Sequence, residues 1–140
     1  MDRKEFFKKS AALAFVAAGG AIFLEACQKS NSSPATSSAP TVDFTIDISK
    51  SPYTALQTNG NYLYDNNIII ARDNGGNFIA LYDVCTHAGC TIQFNGTSQF
   101  PCPCHGSVFN SSGGVVNGPA TTGVKKYNTS LAGTMLRIYG

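Results

Sequence analysis

The sequence predicts an all-β protein built from antiparallel strands, and three observations carry that prediction. Apolar and polar residues alternate in short runs, glycine-bearing turns separate the runs, and no segment after residue 41 repeats with a helical period. The 140 residues suffice for one such domain, since a single core usually takes ~100–150 residues. That length excludes a dinucleotide-binding domain joined to a substrate domain, and also a barrel of ~250 residues. Ten Lys and Arg against eight Asp and Glu give a charge of +2 with no basic stripe, so no nucleic-acid partner is expected. An apolar content of 43% is that of a globular chain and excludes disorder throughout.

The N-terminal segment reads as an address. Arg3, Lys4, Lys8 and Lys9 form a basic start, and residues 11–24 carry no charge. A bilayer span needs ~20 apolar residues, so this stretch fits the core of a signal peptide. Leu24-Glu25-Ala26-Cys27 resembles a bacterial lipobox, from which Glu25 departs, and implies lipidation of Cys27. The opening Asp-Arg-Lys-Glu-Phe-Phe-Lys resembles a twin-arginine export signal with Lys4 in place of the second Arg. Such a route carries proteins already folded, cofactor included. The expectation is an export signal peptide of lipoprotein type over residues 1–26, with an uncleaved membrane anchor as the alternative. Residues 27–41, rich in Ser, Thr, Ala and Pro, read as a flexible tether. Cleavage before Cys27 leaves 114 residues with six positive and five negative side chains, so attraction to anionic lipid is not expected.

The body, residues 42–140, is read strand by strand. Val42, Phe44, Ile46 and Ile48 alternate with polar residues, which places one face on a core. Residues 67–72 and 77–82 flank Asp73-Asn74-Gly75-Gly76 and predict a β-hairpin, the glycines supplying positive φ. Residues 91–94 and 99–101 predict short strands around Asn95-Gly96. Val108-Phe109 and Val115-Val116 flank a turn at 111–114, and residues 124–131 and 134–139 form a last pair around Ala132-Gly133. Lys125 and Lys126 read as a solvated edge.

Four of the five Cys and both His fall in the 21 residues from Cys85 to His105. They form two blocks, Cys85-Thr86-His87-Ala88-Gly89-Cys90 and Cys102-Pro103-Cys104-His105-Gly106-Ser107, each on a loop between predicted strands. The pattern C-x-H-x-G-C followed by C-x-C-H-G-S resembles the Rieske 2Fe–2S proteins, whose centres replace two thiolates by imidazoles on one iron. The resemblance implies one 2Fe–2S cluster, with Cys85 and Cys102 as thiolate ligands of the inner iron and His87 and His105 as imidazole ligands of the outer one. It also implies a Cys90–Cys104 disulfide between the loop tips. Gly89 and Gly106 match positions for tight turns and for backbone N–H groups directed at the sulfides. Gly118-Pro119-Ala120 resembles the family's third loop, which bears Pro119. The resemblance covers residues 42–140 and implies a Rieske-type antiparallel β-sandwich, with a small cluster-binding subdomain (loops at about 83–110) on a larger β base.

Two positions depart from the quinol-oxidising members of the family. Ala88 stands where they usually have Leu, and Phe109 stands where they have Tyr. Ser107 keeps a hydroxyl able to donate to a bridging sulfide, whereas Phe109 cannot make the second hydrogen bond to a cluster thiolate. Lost hydrogen bonds to sulfur lower a cluster's potential. The same four residues could instead hold zinc, but structural zinc sites more often show C-x₂₋₄-C and H-x₃₋₅-H spacings. A domain held by disulfides alone would not require His87 and His105.

With all coordination positions filled, a Rieske cluster moves one electron and binds no substrate. The chain is thus expected to be an electron-transfer protein, or an oxidoreductase subunit, rather than an enzyme alone. The primary reading is an exported, membrane-tethered one-electron carrier, placed outside the cytoplasm, with proton-coupled redox at His87 and His105. Alternatives are the Rieske subunit of a quinol-oxidising cytochrome bc-type complex, and the small subunit of an exported molybdenum oxidase such as arsenite oxidase. The implied partner is a redox protein: a cytochrome, a quinol oxidoreductase or a molybdenum subunit.

Overall fold

A computed structural model describes residues 39–140. The expected export signal, Cys27 and most of the tether at 27–41 lie outside the described residues. Nine strands and one 3-10 turn follow in order: β1 (Asp43–Asp47), the turn (Tyr53–Gln57), β2 (Tyr62–Asp65), β3 (Ile68–Arg72), β4 (Phe78–Tyr82), β5 (Gln99–Pro101), β6 (Val108–Asn110), β7 (Val115–Asn117), β8 (Lys126–Ala132) and β9 (Met135–Tyr139). All strand pairs are antiparallel, in a six-stranded sheet β1-β9-β8-β4-β3-β2 and a three-stranded sheet β5-β6-β7. The antiparallel all-β expectation holds.

Two hydrophobic clusters explain how the sheets stack. Ile68, Ile70 and Ala80 share one cluster with Ile46, Leu136, Ile138 and Tyr127, from strands β1, β9 and β8. The large sheet therefore folds on itself across this cluster. Ile69, Ala71, Ile79 and Leu81 point the other way, into a cluster with Phe100, Phe109, Cys85 and Cys102. The run Ile68-Ile69-Ile70 has no polar alternation because β3 is buried on both faces, with each of the three fully inaccessible. The result is three layers, the outermost of which carries the Cys/His loops.

The β3–β4 hairpin closes as expected, with Asp73 N–H donating to Asn77 O at 2.9 Å and Gly76 at φ +84°. Strand β2 was not evident in the sequence. Its turn to β3 uses Asn66 and Asn67 at φ +50° and +60°, a left-handed pair without glycine. Residues 91–94 correct the expectation of a strand. Gln93 N–H donates to Pro101 O and Asn95 N–H to Gln99 O, but Pro101 has no N–H to return the first bond. The Gln99 N–H goes instead to the Asn95 side chain at 3.1 Å. Half a ladder remains.

The chain enters the domain along β8. The Pro40 carbonyl accepts from Tyr127 Oη at 2.8 Å and from Lys125 Nζ at 3.3 Å, and Lys125 also lies 4.8 Å above the Tyr127 ring. The edge expectation is corrected: Lys126 is exposed but lies in β8, inside the six-stranded sheet and paired with Leu81 of β4, and Lys125 is half-buried in this clamp.

Candidate metal centre

Both Cys/His loops fold by the same local pattern. In the first, Cys85 N–H donates to Cys90 O at 2.7 Å and Gly89 N–H to Cys85 O at 2.9 Å. In the second, Cys102 N–H donates to Ser107 O at 2.7 Å and Gly106 N–H to Cys102 O at 3.1 Å. Each loop turns at the residue four positions after its first cysteine, Gly89 at φ +76° and Gly106 at φ +82°, where a side chain would be strained. The first loop follows β4 and the second joins β5 to β6.

Matched folding brings like residues together. Cys85 and Cys102 are free and buried, each 2% exposed. His87 and His105 are exposed, with ring centroids 4.7 Å apart and ring planes at 80°. Cys90 and Cys104 form a disulfide with Cα atoms 6.4 Å apart, as the sequence resemblance implied. The Cys90, Cys102 and Cys104 sulfurs lie within 4.8 Å of one another, but the disulfide removes two of them from the list of possible ligands. A four-thiolate site is thus excluded among the described residues. What remains is a buried thiol pair and an adjacent exposed imidazole pair.

Burial pushes the Cys102 thiol up, as does the Cys85 thiol beside it, while the backbone N–H groups of Cys104 and His105 pull the other way. Those amides favour a thiolate, the form in which cysteine ligates metal. Asp83, two residues before Cys85, is also pushed up by burial, and its Oδ1 has no partner among the described residues.

A third loop, residues 118–124, braces the other two. The fully buried Ser107 Oγ accepts from Ala120 N–H at 3.0 Å, which leaves its hydroxyl proton free to donate elsewhere. Thr86 Oγ1 donates to Thr122 O, and Asn117 Nδ2 donates to Gly106 O at 3.1 Å. Pro119 is exposed in this loop, after a cis peptide bond. Phe109 is fully buried in the cluster that contains Cys85 and Cys102. Thr86, Asn117 and Thr122 were not singled out by the sequence, because their roles depend on which loops meet.

The Rieske [2Fe-2S] domain family profile matches residues 46–128. The chain belongs to the Rieske [2Fe-2S] domain family. Over 59 residues this Rieske chain is 44% identical to the cytochrome b6-f complex iron-sulfur subunit 1 of Synechocystis, covering 41% of the chain and 33% of the relative. Over 38 residues it is 60% identical to the cytochrome b6-f complex iron-sulfur subunit of Gloeobacter violaceus, covering 26% and 20%. The matched segment thus spans a third or less of these relatives. Among solved structures, the cyanobacterial plasma membrane Rieske protein of Synechocystis PCC 6803 is similar with a TM-score of 0.52 at 27% identity, covering 62% of this chain and 93% of that one.

The residues present fit the family's 2Fe–2S cluster. Two hard-to-reach sulfurs and two exposed imidazoles supply four donors, and among the described residues the spent disulfide leaves no third thiolate to compete.

Proposed function

We propose that the chain is a one-electron carrier whose Rieske cluster is held by Cys85 and Cys102 on the inner side and by His87 and His105 on the outer side. The observation that carries this reading is that two loops with the same backbone hydrogen bonds each bear one buried thiol and one exposed imidazole, with the two imidazole rings side by side. When bound, such a cluster accepts or releases one electron. The protein's own groups do the rest. The core around Cys85 and Cys102 excludes water from the sulfur side. His87 and His105 face solvent, so the ring nitrogen each leaves free can hold or release a proton when the electron moves. Ser107 Oγ–H is available as a donor, the disulfide opposes separation of the loops, and the exposed His pair offers a partner the shortest approach.

The test is elemental and spectroscopic. The purified chain should contain two irons and two acid-labile sulfides, and alanine at Cys85, His87, Cys102 or His105 should bleach it. Zinc without sulfide overturns the reading.

The basic start, Leu24-Glu25-Ala26-Cys27 and the Ser-rich stretch after it support export, lipidation of Cys27 and a site on the outer side of a bacterial membrane. The plasma-membrane location in the name of the Synechocystis structure supports association with a membrane. A Cys27→Ser chain should leave the membrane fraction.

A second reading, a subunit of a quinol-oxidising complex, is favoured by the cytochrome b6-f relatives. Co-purification with a b-type cytochrome supports it; a monodisperse chain free of haem after mild solubilisation opposes it.

A further inference from the structure

We propose that Cys102, when no cluster holds it, attacks the neighbouring Cys90–Cys104 disulfide, so that cluster loading must precede formation of that disulfide. The inference rests on the reading of Cys102 as a cluster ligand. Three sulfurs lie within 4.8 Å of one another; two are joined and the third is a free thiol. A thiol held against a disulfide can exchange with it, and the reaction needs no outside oxidant.

The bonds balance as follows. The Cys102 sulfur gives up its proton and bonds to the Cys90 sulfur, the Cys90–Cys104 bond breaks, and Cys104 leaves with the electron pair and takes up a proton from water. The count of thiols and disulfides is unchanged. Two features select this direction. Cys104 is exposed, so the departing charge is solvated, whereas Cys90 is half-buried. Attack on Cys104 would instead close a ring spanning Pro103 alone, whose φ is fixed.

The product keeps a free Cys85 but has spent Cys102. It lacks one of four ligands and cannot take up a cluster. A loaded chain is immune, because the attacking sulfur is bound to metal. Loading before oxidation avoids the trap, and export of the folded, loaded chain would impose that order.

The full-length chain should be stripped of iron and sulfide with a chelator, without reductant and without air, and quenched at intervals with a maleimide before peptide mapping. We expect the Cys90–Cys104 link to give way to Cys90–Cys102 over roughly minutes to hours, at a rate independent of protein concentration, with Cys104 becoming labelled. Capacity to reload with iron and sulfide should fall in step and return on addition of dithiothreitol. A Cys102→Ser chain should keep Cys90–Cys104, and a Cys85→Ser chain should exchange like the parent. Retention of Cys90–Cys104 with Cys102 labelled overturns the proposal, as does random pairing that draws in Cys27 and Cys85. The ligand reading fails separately, if Cys102 of the loaded chain is labelled without loss of iron.

Discussion

Gly123 lies so close against Gly113 that a Cβ on Gly123 would fall inside van der Waals contact of the Gly113 carbonyl oxygen. The converse holds too, since a Cβ on Gly113 would collide with the Val124 carbonyl oxygen. Val124 N–H donates to Gly113 O at 2.9 Å at this crossing, which docks the third loop onto the β6–β7 turn. Backbone faces backbone, so no flexible side chain can yield. Gly123→Ala should cost about 1–3 kcal/mol, the usual range for overpacking, read as a lower denaturant midpoint. Cluster loss on standing should quicken as well, because this loop braces both Cys/His loops.

Ser107→Ala tests the buried hydroxyl. It leaves the Ala120 N–H without its acceptor, at about 1–3 kcal/mol for a buried unsatisfied donor. It also removes the proton that Ser107 can donate toward the cluster, so the reduction potential should fall. Voltammetry beside thermal melting separates the two effects; an unchanged potential would leave Ser107 a brace only.

Replacing Cys90 and Cys104 together by Ser opens a link across 14 positions in sequence. A closed loop of about 15 residues is worth ~3 kcal/mol in the chain-entropy picture. The doubly substituted chain should still load, bleach faster in air and melt lower. Equal bleaching rates would remove the protective role.

Phe109→Tyr adds a hydroxyl to a fully buried ring, where it is costly unless it finds an acceptor. The surrounding cluster contains the Cys85 and Cys102 sulfurs. The substitution should raise the potential, since hydrogen bonds to sulfur favour the reduced centre. Voltammetry reads the effect; an unchanged or lower potential removes the role given to the added hydroxyl.

The alkaline limit of stability is set in part by Tyr127. Burial pushes its phenol up to about 12 from the ordinary 10. The folded state therefore favours the neutral ring, and this stabilisation is complete below the unfolded value and is lost as pH rises through about 12. Melting temperature should decline across that window, and Tyr127→Phe, which also loses the bond to Pro40, should decline less steeply there.

Where a strand shows alternation, as at β1, or where a pair of apolar runs flanks a glycine turn, as at β3–β4, β6–β7 and β8–β9, the sequence is enough to place it. Strand β2 escaped because Asn66 and Asn67 turn the chain without glycine. Residues 91–94 were overcalled because alternation says nothing of the missing Pro101 N–H across the gap. At the candidate centre, spacing and the family resemblance point to the Cys and His residues. The braces do not show: Asn117, Thr122 and the Gly113–Gly123 crossing act between segments brought together only by folding.

The clamp at Pro40 fixes where the first described residues lie on the domain. Ala39 lines a cavity of about 630 Å³ together with Thr86, Ala88 and Gly89 of the first Cys/His loop. Residues 39 and 40 therefore lie beside the first Cys/His loop, and β8 runs from there to the hairpin at Gly133, seven strand residues or roughly 20 Å away. A change at this clamp is thus placed to disturb the first Cys/His loop, while the Gly133 hairpin lies a strand's length away.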